Sequence, residues 1–253
     1  MADFFIHHNR SAVMSGHSKW STIKRQKGVT DSRRSAVFTK LGRLITVAAR
    51  LGGSDPAMNF RLRLAIDKAK SANLPNDNIE RAVKSGTGAD KDTQTKDVLY
   101  EGFGPGGAAI LVEAVTDNGN RTAAEVRRVF VKYGGSLGAQ HSVGWMFARR
   151  GVMRVPLASV PPARRQELEL ALIDAGAEDV GEADAQLVIT AAPDRLARVS
   201  RAVADRRFSA EIDVEYVPTT ITTIAGAAQT KLYDLLEALD ELDDVTRITC
   251  NET

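Results

Sequence analysis

The chain closes on a helix and a strand that have no partner in their own neighbourhood, and this restricts its fold more than any other feature. Residues 230–241 place apolar side chains at helical spacing, and residues 245–249 read as a short strand. Just upstream a complete series is already present. Strands at 143–147 and 152–155 lead into a helix over 161–175 that Gly176 stops. Short strands at 178–180 and 186–190 follow, then a helix over 193–205 with Pro193 in its first turn. The series ends on 210–217, where Ile212, Val214 and Tyr216 alternate with polar residues as in a half-buried strand. The order β-α-β-β-α-β is ferredoxin-like. Residues 108–133 show the matching deficit: a continuous apolar run over 108–116, a turn and helix cap at 117–120, and a helix over 121–133 closed by Gly134-Gly135. The final pair is expected to complete this earlier strand and helix. The predicted fold class is α+β, with residues 143–217 an inserted ferredoxin-like domain inside a discontinuous α/β domain of 89–142 plus 218–253.

Ahead of these, residues 14–88 read as a small basic helical domain. In a helix over 31–51, Val37, Phe38, Leu41, Leu44, Ile45 and Ala48 share one arc. Arg33, Lys40, Arg43 and Arg50 share the arc beside it. Gly52-Gly53 ends the helix. Ser54-Asp55-Pro56 is expected to start the next, with Pro at its first position, and Leu62, Ala65, Ile66 and Ala69 turn inward. Pro75 breaks it, and a third helix follows with Gly86 as its stop. Three such helices make a three-helix bundle. A polar linker covers 87–97. Met14-Ser15-Gly16 looks like a natural start, so residues 1–13 are set aside as an extension expected to be disordered.

Charge is distributed unevenly. Residues 1–88 hold 16 Lys/Arg and 6 Asp/Glu, a net of +10; residues 151–253 hold 10 and 19, a net of −9. Clustered cations suit a phosphate backbone, because each contact releases condensed counterions. The candidate nucleic-acid-binding residues are Lys19, Trp20, Lys24, Arg25, Lys27, Arg33, Arg34, Lys40, Arg43 and Arg50. Trp20, set among cations, is either an anchor for the bundle or a stacking surface for a base.

Other motifs point away from catalysis. The run Gly102-Phe103-Gly104-Pro105-Gly106-Gly107 lacks the Gly-Lys-Ser/Thr and the following helix of a phosphate loop. It reads as a tight turn between strands. It is glycine-rich for a turn alone, so a backbone platform close to a partner, with Phe103 available to stack, is the second reading. Residues 117–122 lack the spaced carboxylates of a calcium loop and read as a helix cap. His141-Ser142 has no nucleophile elbow around it. Cys250 is the single cysteine, which excludes an internal disulfide and fits a reducing compartment. No run approaches the ~18 apolar residues that cross a bilayer. The expectation is a cytoplasmic protein, or a mitochondrial-matrix one if the source is eukaryotic. No cofactor, metal, membrane or small-molecule substrate is expected.

Several strings together resemble the YebC/PmpR family. They are Gly16-His17-Ser18-Lys19-Trp20 with Ile23-Lys24, Phe38-Thr39-Lys40-Leu41, Ala48-Ala49-Arg50-Leu51-Gly52-Gly53, Arg61-Leu62-Arg63, Asn78-Ile79-Glu80-Arg81-Ala82, Tyr100-Glu101-Gly102 with Gly104-Pro105-Gly106-Gly107, and Thr116-Asp117-Asn118 with Asn120-Arg121-Thr122. The resemblance is close from Met14 to about Phe147 and looser to Thr253. The chain departs from the pattern at His141, where the family usually has Gly before Ser-Val, and at 32–35, where two arginines stand among residues the family varies. The resemblance implies a helical domain followed by an α/β domain with an inserted ferredoxin-like domain. It implies a non-enzymatic protein, since bacterial members are called DNA-binding transcriptional regulators. Members are also tied to translation: a mitochondrial relative activates synthesis of a respiratory subunit, and bacterial ones are linked to ribosomes stalled on proline runs. A cationic stripe without a clear recognition helix favours structured RNA, ribosomal RNA above all, over DNA. A protein–protein adaptor is the minor alternative.

Overall fold

The architecture comes from a computed structural model that describes residues 31–88 and 95–252, with side chains from residue 35 onward. Lys19, Trp20, Lys24, Arg25 and Lys27 lie outside the described residues, as do the side chains of Arg33 and Arg34.

Three helices open it: α1 (Asp31–Gly52), α2 (Phe60–Ser71) and α3 (Asn76–Thr87). Leu41, Ile45, Ala48, Leu62, Ala69, Leu74 and Ile79 form their core. Gly53, at φ +87°, ends α1 in the left-handed region that glycine enters freely. Two expectations are corrected here. Pro56 lies in a turn, and α2 begins at Phe60 with Asn59 as its cap. The buried Asn59 side chain accepts from the Leu62 N–H at 3.0 Å and donates to the carbonyls of Ala48 and Gly53, each at 2.8 Å. It caps one helix and ties down the end of the other, which neither Ser54 nor Asp55 does here. Gly86 is no stop either, because it lies inside α3 where α3 crosses α1. A Cβ there would stand 2.3 Å from the Thr46 carbonyl oxygen.

The α/β domain holds β1 (Lys96–Phe103), β2 (Ala109–Thr116), α4 (Gly119–Lys132) and β3 (Ser136–Leu137) from the first stretch of chain. In the order β3-β1-β2-β8, the last strand returns from the C-terminal pair. Ile110 faces Cys250 and Val112 faces Ile248 in an antiparallel register. β2 is apolar but for Glu113 and the terminal Thr116, because both its faces are covered. Ile110 and Val112 join Phe130, Leu232, Leu235 and Leu239 on one side. Ala109 and Leu111 join Val143 and Phe147 on the other.

A second compact unit spans Arg149–Glu215. Its elements are β4 (Phe147–Pro156), α5 (Pro162–Ala175), β5 (Ala177–Ala183), β6 (Gln186–Ala191), α6 (Leu196–Ala204) and β7 (Glu211–Pro218). The sheet order β5-β6-β4-β7 is the ferredoxin-like one. Asp184 and Ala185, both at positive φ, turn the β5–β6 hairpin. The strand expected at 143–147 is absent: Gly144–Met146 form one 3-10 turn and β4 starts at Phe147. The backbone N–H groups there are bound by a side chain of β1. The C-terminal pair is α7 (Gly226–Asp240) and β8 (Val245–Cys250).

Candidate nucleic-acid interface

The three described cations of the stripe on α1, Lys40, Arg43 and Arg50, are half-buried and bonded to other parts of the chain. Lys40 Nζ donates to the Asp240 carbonyl and lies 3.9 Å from its carboxylate. Arg43 Nη1 donates to the Asp243 carbonyl at 2.8 Å and to Asp244 Oδ1 at 2.6 Å. Arg50 Nη1 donates to the Thr95 carbonyl at 2.9 Å. Three of the cations expected to meet phosphate instead hold the helical domain onto the α/β domain. A helical wheel places them beside the core, which is also where a neighbouring domain packs. Part of the opposition between basic head and acidic tail is therefore satisfied inside the molecule.

Asp244 is the centre of that seam. Its side chain is 5% exposed. Arg121 Nη2 reaches Oδ2 at 2.9 Å and the Thr122 hydroxyl donates to the same oxygen at 2.6 Å. The Thr116 hydroxyl lies 2.8 Å from that of Thr122. Burial alone would raise the Asp244 carboxyl. Hydrogen bonds from Thr122, Arg121 and Thr116 and the charge of Arg43 outweigh it and hold the pKa below the ordinary 3.8. Asn118 caps α4, accepting from the Arg121 N–H at 3.1 Å. The polar string over 116–122 is thus a cap joined to an ion-pair network.

The cations left exposed lie elsewhere. Arg63 and Lys70 on α2, Arg81 and Lys84 on α3, and Arg127, Arg128 and Lys132 on α4 are exposed and form no ion pair among the described residues. Arg63 lies over the Phe60 ring at 5.0 Å. The depression between α2 and α3 alternates Arg63 and Lys70 with Asp67 and Glu80, so it has no strong preference for an anion. None of these seven is among the binding residues expected from the sequence, which follow the charge density of the N-terminal stretch. Only the folded helices bring Arg81 and Lys84, or Arg128 and Lys132, onto a common exposed side.

The glycine-rich loop is explained by its own chain. A Cβ on Gly102 would stand 2.7 Å from the Phe130 ring and from the Ser136 carbonyl; one on Gly104 would stand 2.8 Å from Ile110 and Leu232; one on Gly106 would stand 2.8 Å from Ile224. Phe103 is half-buried against the cluster of Ala109, Leu111, Val143 and Phe147. Pro105 is half-buried, and Gly106 and Gly107 alone are exposed. The close approach of Phe130, Leu232 and Ile224 from the same chain accounts for Gly102, Gly104 and Gly106 without an outside partner.

The buried Glu101 on β1 holds the loop that follows β3. It accepts from the N–H groups of His141 at 2.8 Å, Val143 at 2.8 Å and Gly144 at 2.6 Å. Burial works to raise this carboxyl. The three backbone donors, from Val143, His141 and Gly144, bring it below the ordinary 4.5. His141 takes φ +68° here with its side chain exposed. Among the described residues no three His, Cys, Asp or Glu stand close enough to hold a metal ion. The Cys250 thiol is buried and pushed up to about 12, chiefly by desolvation. No described helix is long and apolar enough to cross a membrane.

Two family descriptions cover most of the chain. "TACO1/YebC protein N-terminal domain" matches residues 18–89, and "TACO1/YebC second and third domain" matches residues 95–252. A relative from Pseudothermotoga lettingae is 45% identical over 238 residues, covering 94% of this chain and 93% of its own. One from Carboxydothermus hydrogenoformans is 44% identical over 239 residues, covering 94% and 98%. Each is named a "probable transcriptional regulatory protein". The crystal structure of a conserved hypothetical protein from Aquifex aeolicus superposes with a TM-score of 0.80 at 42% identity, covering 88% of this chain and 91% of that one.

Proposed function

The chain belongs to the TACO1/YebC family, and from that premise we propose that it is a non-enzymatic, nucleic-acid-binding regulator of gene expression that recognises phosphate backbone and shape. The observation that carries this is the net +10 of residues 1–88, where Lys40, Arg43, Arg50 and Arg61 have intramolecular acceptors while Arg63, Lys70, Arg81 and Lys84 stand exposed without an ion pair among the described residues. Clustered cations left for solvent are useful mainly against a polyanion. The contact residues in this reading are Lys19, Trp20, Lys24, Arg25, Lys27, Arg33 and Arg34, together with the exposed Arg81 and Lys84. Lys40, Arg43 and Arg50 are assigned to holding the domains together.

Structured RNA, with the ribosome as the largest such target, is the favoured ligand. Sequence-specific reading of DNA normally uses a helix that offers hydrogen-bonding side chains to a groove, and Lys40 and Arg43 of α1 are turned to the α/β domain. The names of the relatives favour DNA as the second reading. Crosslinking the protein in cells and sequencing the attached nucleic acid separates the two. Recovery of ribosomal RNA supports the first, recovery of discrete genomic sites supports the second, and recovery of neither defeats both.

A further inference from the structure

Trp145 stands 67% exposed, the one aromatic among the large hydrophobic side chains that the described residues leave in solvent. Isolated exposed aliphatic residues are ordinary. A tryptophan is different, because its ring forgoes the burial of roughly 150–250 Å² of mostly apolar surface. Nor is it on a loose loop. The Gly144 N–H before it donates to Glu101 at 2.6 Å. After it, the Met146 carbonyl accepts from the Thr219 N–H at 2.8 Å and from its hydroxyl at 2.9 Å. The Met146 N–H donates to the Val143 carbonyl at 2.9 Å, and Val143 itself is fully buried. A rigid turn pointing an indole outward is a preorganised contact, since little freedom is lost when something settles on it.

The company of the ring indicates what that contact takes. The same loop exposes Ala139, Gln140 and His141, which are small or hydrogen-bonding. A protein-binding hot spot is normally ringed by contacts that exclude water, and this loop offers no large apolar neighbour of that kind in solvent. A flat π-face accompanied by an amide and an imidazole suits a base, which stacks on one and presents donor and acceptor edges to the others.

We propose that Trp145 is a stacking platform for an unpaired nucleobase of single-stranded RNA or DNA, presented by the turn that Glu101 and Thr219 hold. This rests on the nucleic-acid reading above and adds a contact on the α/β domain.

Equilibrium binding of labelled single-stranded RNA, single-stranded DNA and duplex DNA of mixed sequence to the full chain tests it, with Trp145→Ala and Trp145→Phe alongside and melting temperature as the folding control. Trp145→Ala is expected to weaken single-strand binding about 5- to 100-fold, the range that loss of one stacked base produces. Trp145→Phe recovers most of it, and duplex binding stays within about twofold. A loss confined to the RNA or the DNA arm identifies the source of the base. Unchanged single-strand affinity in Trp145→Ala overturns the platform while leaving the general reading intact. An equal loss on duplex overturns it too, since stacking does not act there. Should the wild-type chain bind no nucleic acid, both readings fall. If Trp145→Ala leaves strand binding intact and abolishes a concentration-dependent dimer, the ring belongs to an interface with a second copy.

Discussion

Arg43 and Asp244, 201 positions apart in the chain, meet at 2.6 Å. Around the same carboxylate stand Arg121 and Thr122, so one nearly buried side chain joins the helical domain to the cap of α4. Asp244→Ala strands Arg43, Arg121 and the Thr122 hydroxyl, whereas Arg43→Ala leaves the carboxylate with Arg121 and the threonine hydroxyls. The expected losses are about 3–5 kcal/mol for Asp244→Ala and about 1–2 kcal/mol for Arg43→Ala. Denaturant melts of both single variants and the double variant check this. Equal losses would show that Arg121 and Thr122 contribute nothing.

The pH response follows from the two carboxyls held below their ordinary values, Glu101 by three backbone N–H groups and Asp244 by its ring of donors. A lowered native pKa means that the unfolded chain takes up the proton first as pH falls. Their contribution is fully present above the ordinary values of 4.5 and 3.8 and is lost as pH drops through the native ones. Glu101→Gln is expected to destabilise the neutral protein and to flatten the acid limb of stability against pH. A limb as steep as that of the wild type would remove Glu101 from the account.

Charge reversal separates seam from surface. Lys40→Glu with Arg43→Glu sets carboxylates against Asp240, Asp243 and Asp244, so a lower melting temperature is expected. Arg81→Glu with Lys84→Glu should leave melting nearly unchanged and reduce the slope of log K against log salt by about 2. The seam assignment fails if the first pair abolishes binding at an unchanged melting temperature.

Gly86→Ala tests the crossing of α3 over α1. By helix propensity alone the change would stabilise by about 1 kcal/mol. The Thr46 carbonyl, 2.3 Å from the new Cβ, reverses the sign, and a net loss of about 1–3 kcal/mol is expected as the helices part. A rise in melting temperature would contradict the close crossing.

Phe103→Ala is expected to lower stability by about 2–4 kcal/mol, since the ring packs against Val143 and Phe147. An unchanged melting temperature combined with impaired function in cells would return Phe103 to the role of a partner contact.

The apolar run of β2, the β-α-β-β-α-β order and the unpartnered terminal αβ pair were legible in the chain by themselves. Backbone hydrogen bonding and burial demand that a strand with apolar residues on both faces be covered on both, and that a terminal strand find an edge. Periodicity likewise placed Leu41, Ile45 and Ala48 in a core. It could not say what lies over the neighbouring arc. Whether Lys40 and Arg43 meet water, phosphate or protein depends on carboxylates and carbonyls that arrive from about two hundred residues away. The same holds for Gly86, whose role is set by Thr46 across a helix crossing. It holds again for Trp145, left in solvent because Glu101 on one strand and Thr219 after another fix the turn beneath it. Local pattern determines which residues form an element and which face of it is dry. Only tertiary packing decides which charged side chains are neutralised within the molecule and which remain for a partner, because the energy of a charge depends on everything within a few ångströms of it.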